Sequence, residues 1–138
     1  MPKRTYPRLQ SYLVCDDIRE EQGNKTSLIG VYNAPVTLVP IPSIIPKLCF
    51  RMVFRGLKPG QEIGFQVLDP EGKAIVGVEP RPMGIQEGQK ITPRSMSIVN
   101  LIFAGVNIEK GGTYRLVVSF GPEEDAKREI KFGFKKKQ

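Results

Sequence analysis

An all-β fold is predicted, and three observations predict it. Apolar and polar residues alternate in short runs, twelve prolines and fourteen glycines punctuate those runs, and no segment reads as a helix able to cover a parallel sheet. Period-two alternation gives each strand one apolar face, and such faces are buried only when sheets stack or close on each other. The expected architecture is a two-sheet antiparallel β-sandwich with an extra N-terminal hairpin.

In chain order, strands are expected near residues 8–16, 25–32 and 35–39, the first two or three forming a hairpin added at the edge of the sandwich. Asp16 to Gln22 has room for one helical turn capped by Asp16 or Asp17, but it does not read as a helix. The clearest strand is 47–55, where Leu48, Phe50, Met52 and Phe54 share one side and Lys47, Arg51 and Arg55 the other. In the next, 62–69, Ile63, Phe65 and Val67 share a face, and 73–79 follows it. Lys58-Pro59-Gly60 and Asp69-Pro70-Glu71-Gly72 supply turns with proline-fixed or glycine-tolerated dihedrals. From Glu79 to Arg94 three prolines and two glycines interrupt the alternation, so the longest loop is expected there. Strand 95–104 precedes the turn at Lys110-Gly111-Gly112. Strand 112–120 then gathers Tyr114, Leu116, Val118 and Phe120, and strand 127–134 gathers Ile130, Phe132 and Phe134.

The 138 residues suit one domain, residues 1–138, large enough to bury a core without metal or disulfide staples. Its formal charge of +7 is a property of the ends. Residues 1–10 carry Lys3, Arg4 and Arg8, and residues 127–138 carry six basic residues against Glu129, while the stretch between has 12 basic and 13 acidic residues. Residues 1–7 read as a basic arm and residues 135–138 as a basic, solubilising tail. No apolar run approaches the ~20 residues of a membrane-spanning helix, and no signal-like stretch follows Met1. A cytoplasmic protein is expected. Cys15 and Cys49 lie in strand-like runs without C-x-x-C spacing, which reads them as small hydrophobic thiols, with a buried cross-strand disulfide as the other reading.

Two resemblances bear on the fold. Gly112-Thr113-Tyr114-Arg115-Leu116 resembles the penultimate strand of an immunoglobulin-like domain, in which a tyrosine after a tight turn anchors its hydroxyl to nearby backbone. Leu116 stands where antibody domains have a cysteine and the chain has no tryptophan, so an antibody-type domain is excluded. Leu13-Val14-Cys15-Asp16-Asp17-Ile18-Arg19 and Ser27-Leu28-Ile29-Gly30-Val31-Tyr32 resemble a family of small uncharacterised bacterial and phage proteins. That resemblance covers most of the chain and implies a β-rich protein with no established activity.

The absence of histidine removes the side chain best suited to acid–base chemistry near neutrality, and with it Ser-His-Asp and Cys-His catalysis and histidine-ligated metals. Neither a Walker loop nor a dinucleotide fingerprint occurs. Asp16, Asp17, Glu20 and Glu21, and separately Glu123, Glu124 and Asp125, are acidic clusters without calcium-loop spacing, and read as solvated turns. No metal, cofactor or catalytic residue is expected. Arg51, Arg55 and Arg115 would form a cationic stripe if their strands were neighbours. Lys3, Arg4, Lys131, Lys135, Lys136 and Lys137 are the candidate residues for contact with a partner or nucleic acid, basic residues interleaved with Phe132 and Phe134 being the combination that grips phosphates and stacks bases. The expected function is a non-enzymatic interaction module for another protein or a second copy of itself. Weak nucleic-acid binding through the basic termini comes second, and a carboxylate-dependent enzyme third.

Overall fold

Strands form where the alternation places them. The computed structural model describes residues 7–58, 60–82, 96–121 and 127–137. Among these the chain forms β1 (Arg8–Glu21), β2 (Lys25–Val31), β3 (Val36–Val39), β4 (Ser43–Arg55), β5 (Glu62–Leu68), β6 (Ala74–Pro82), β7 (Met96–Ile108), β8 (Gly112–Gly121) and β9 (Lys127–Lys136). The order β2-β1-β4-β7 makes one sheet, and β3-β9-β8-β5-β6 makes the other. The apolar faces of the two sheets meet in one main core. Among the described residues no helix is long and apolar enough to cross a membrane.

That core is built on period two. Leu48, Phe50, Met52 and Phe54 of β4 are fully buried, and so are Leu116, Val118, Ile130 and Ile63 from the facing sheet. Phe50 bridges the layers, its ring edge-on to Phe103 on its own sheet at 6.2 Å and to Phe132 on the other at 5.4 Å. Phe54 meets Phe120 in the same way at 5.8 Å. Edge-to-face pairs of this kind add to the burial of each ring because the positive rim of one meets the negative face of the other.

Two turns are clamped together at one end of the five-stranded sheet. The Asp69 carboxylate accepts hydrogen bonds from the N–H groups of Glu71 and Lys73, each at 2.9 Å. The Lys73 N–H contributes most to holding this carboxyl below its ordinary range. Lys110, from the neighbouring turn, reaches Glu71 at 2.7 Å and Asp69 at 4.0 Å. The buried Tyr114 donates its hydroxyl to the Lys110 carbonyl at 2.7 Å, the anchor expected of a tyrosine following that turn. Gly112 lies between them at φ +135°, with the Pro70 ring so close that a Cβ would stand 2.9 Å from it.

Several expectations need correction. The sandwich is not purely antiparallel, because β3 runs parallel to β9 with Val36 opposite Gly133 and Val39 opposite Lys136. A strand that reaches its neighbour by crossing between sheets, rather than through a hairpin, is free to run parallel. Asp16 to Gln22 makes no helical turn. β1 continues to Glu21, paired with β2 from Cys15 opposite Val31 to Glu21 opposite Lys25, which gives the expected edge hairpin. β4 begins at Ser43, earlier than its alternation, and is held there by β7. β9 likewise outruns its apolar residues: Lys135 and Lys136 belong to the strand, and the Lys137 N–H donates to the Val39 carbonyl at 2.9 Å. The expected tail is therefore tied to β3 through residue 137. The expected arginine stripe does not form, since Arg51 and Arg55 lie on β4 and Arg115 on β8 of the other sheet. Of the expected loop 79–94, residues 79–82 belong to β6, and the remainder lies outside the described residues.

Candidate partner-binding groove

The groove begins where β1 and β4 separate. Their pairing ends at Cys15 opposite Cys49, and among the described residues the first half of β4 pairs only with β7. Charges span the gap. Asp17 meets Lys47 of β4 and Arg19 of its own strand, both at 3.2 Å, and these two partners hold its carboxyl below the ordinary range. Asp16 lies over Gly30, where any Cβ would overlap its carboxylate. Gly30 also has φ +66°, so a glycine serves there on both counts. The Tyr32 phenol stands close to the Asp16 carboxylate, and burial, followed by the Asp16 charge, pushes it above its ordinary range. The Tyr32 ring is fixed edge-on against Phe134 at 6.3 Å.

Between these groups, β3 and the start of β4 lies a groove of about 610 Å³, lined among others by Asp16, Tyr32, Leu38, Val39, Ile44 and Ile45. Leu38 is 60% exposed and Ile44 65%, which makes them the two most exposed large apolar residues among those described. Among the described residues β3 is an edge strand, with β9 on one side only. The Pro35 and Val39 carbonyls accept from the N–H groups of Gly133 and Lys137, at 2.8 and 2.9 Å. In a parallel ladder alternate residues direct both backbone groups to the same neighbour. Pro35, Thr37 and Val39 therefore face β9, while Val36 and Leu38 turn their N–H and C=O groups to the open side. This open backbone sits beside a largely apolar groove whose wall carries Asp16 and the Asp17–Lys47 ion pair.

The expected lysines lie elsewhere. Lys131, Lys135, Lys136 and Lys137 are all exposed. Lys131 is opposite Arg115, while Lys135 and Lys136 are in register with Leu38 and Val39. None of the four lines the groove. Arg115 is engaged by Glu129 at 3.5 Å. Lys3 and Arg4 lie outside the described residues, as does the acidic cluster Glu123 to Asp125. Among the described residues no group of three or more Cys, Asp and Glu side chains gathers as metal ligands would. A second exposed apolar region, Leu13, Ile98 and Ile102, lies on β1 and β7 of the four-stranded sheet, on either side of Arg51, which reaches Asn100 at 3.5 Å. Residue reading missed Asp16, Tyr32, Leu38 and Ile44 as a group. The available signal was the run Pro35-Val36-Thr37-Leu38-Val39-Pro40, since a strand bracketed by prolines reads as a short edge strand.

Where β1 and β4 last pair, Cys15 and Cys49 stand opposite each other as free, fully buried thiols. They form a small second core with Ile18. Their Sγ atoms approach the carbonyls of Asp17 and Asp16 at 3.5 and 3.7 Å. Burial raises both thiols, Cys49 to about 11. Unfolded thiols ionise from about pH 8.5, so between there and the folded values only the unfolded chain loses protons. Stability contributed by the neutral thiols is thus complete below about pH 8.5 and is lost as pH rises through the folded values. At about pH 8 a disulfide reagent is expected to leave both cysteines of the native chain unmodified and to label both after denaturation. Rapid labelling of the native chain would contradict their burial.

A model of a family of unknown function (DUF6941) matches residues 10–132, from β1 into β9. No curated protein matches the chain.

Proposed function

The chain belongs to a family of unknown function (DUF6941), and we propose that it is a non-enzymatic, cytoplasmic protein-binding module that takes its partner in the groove between β3 and β4. The supporting observation is the coincidence of an open strand edge, at Val36 and Leu38, with the exposed apolar side chains of Leu38 and Ile44. Such side chains gain by leaving water, and unpaired strand-edge groups gain by meeting another strand. A sandwich frame of immunoglobulin-like type, in keeping with the Tyr114 anchor, would hold the groove rigid. A bacterial or phage origin accords with the motifs around Asp16 and Gly30.

The test is a selection of random extended peptides displayed on phage against the immobilised full chain. Peptides are expected to be enriched and to lose binding to Ile44→Arg, a substitution at an exposed position that the fold tolerates. Titration of the same chain with single- and double-stranded oligonucleotides at about 50 mM salt is expected to show no saturable binding. Enriched peptides indifferent to Ile44→Arg, or saturable oligonucleotide binding through the β9 lysines, would overturn the proposal.

A further inference from the structure

We infer that the occupant of the groove is an extended, apolar segment of a partner protein carrying a basic residue, and that it adds as a strand to the open edge of β3. This rests on the groove being the binding site and goes further, to the mode of binding and the chemistry of the occupant. Val36 and Leu38 each present an N–H and a C=O away from β9, so a segment laid along β3 can make up to four backbone hydrogen bonds without disturbing the parallel ladder. The other backbone facing the groove is less suited. On β4 the same wall contains Pro46, which has no N–H to offer. With Pro35 and Pro40 on either side, β3 presents four residues and no more, which fits a short segment and resists open-ended sheet growth.

Charge complementarity defines the side chain. Asp17 is already engaged by Arg19 and Lys47, whereas among the described residues no cation pairs with Asp16. Its neighbour in the groove lining is Tyr32, a neutral phenol that leaves the carboxylate's charge uncompensated. Lys47, the cation in the groove lining, is held by Asp17, which leaves Asp16 as the carboxylate there without a paired cation among the described residues, on a chain whose formal charge is +7. A lysine or arginine on the incoming segment can pair with it, while alternate apolar side chains cover Leu38 and Ile44. An acidic segment would meet Asp16 as a like charge.

The experiment measures the enriched peptides by titration against four full-length variants whose folding is first checked by circular dichroism. Leu38→Pro removes one outward N–H and leaves the β9 pairing intact, and Leu38→Ala controls for its side chain. Leu38→Pro is expected to bind roughly three- to tenfold more weakly than Leu38→Ala, the range for one net hydrogen bond. Asp16→Asn is expected to weaken peptides containing lysine or arginine and to leave their glutamine-substituted versions unchanged. Should Leu38→Pro unfold, peptides N-methylated one position at a time replace it, and weakening at alternate positions is expected. Equal binding to Leu38→Pro and Leu38→Ala, with Ile44→Arg still inactive, overturns strand addition but leaves the groove as the site. Binding indifferent to Ile44→Arg removes both. A concentration-dependent doubling of mass in light scattering, abolished by Leu38→Pro, would make the occupant a second copy and overturn the partner named here.

Discussion

Replacing Phe50 with alanine is expected to lower the unfolding free energy by about 3–5 kcal/mol, the range for truncating a buried phenylalanine. Phe50 has no exposed surface, and its ring meets Phe103 and Phe132, which lie on different sheets. The substitution therefore removes apolar burial, leaves a void between the layers and deletes two edge-to-face contacts at once. Since domains of this size are stable by about 5–15 kcal/mol, the loss is a large share of the total. Chemical denaturation followed by circular dichroism measures it. A midpoint unchanged from that of the wild-type chain would mean that Phe50 is not at the contact between the sheets.

Tyr114→Ala is expected to cost a similar amount, about 3–5 kcal/mol, and Tyr114→Phe roughly 1–2 kcal/mol. The comparison separates two contributions of one side chain. The ring packs on Phe132 and Phe134, with centroids at 6.0 and 5.3 Å, and both variants can be compared for that packing. Only the hydroxyl bonds the Lys110 carbonyl, and Tyr114→Phe removes that bond alone. Because Lys110 also reaches Asp69 and Glu71, the hydroxyl secures the turn that joins β7 to β8 against the turn between β5 and β6. A denaturation midpoint for Tyr114→Phe equal to that of the wild-type chain would show that the bond contributes nothing net.

The central strands were legible because alternation is local. Leu48, Phe50, Met52 and Phe54 state their shared face without reference to any other segment, and Tyr114 states its anchor through the turn just before it. Direction of pairing is not local. Val36 to Val39 alternate in the same way whether the neighbour is parallel or antiparallel, so the partnership with β9 could not be read from them. Polar extensions were hidden for a related reason. Asp16 to Glu21 and Lys135 to Lys136 carry few apolar residues, and their strand state comes from backbone pairing with β2 and β3.

The groove was the least legible feature, because no single segment contains it. Asp16, Tyr32, Leu38 and Ile44 lie on four segments of the chain, and only the separation of β1 from β4 and the crossing of β3 to β9 bring them to one wall. The Asp17 to Lys47 ion pair that marks the opening joins residues thirty positions apart. The candidate lysines drew notice by composition, and the four that the structure describes, Lys131, Lys135, Lys136 and Lys137, are exposed on β9 or just past it and do not line the groove.

Amide hydrogen exchange, resolved residue by residue with and without a selected peptide, tests the binding groove most directly. In the free chain Val36 and Leu38 should exchange fast while Thr37, turned toward β9, is protected. Added peptide should slow Val36 and Leu38 specifically. If protection appears instead along β7 or among the β9 lysines, with Val36 and Leu38 unaffected, the partner binds elsewhere and the groove is not the site.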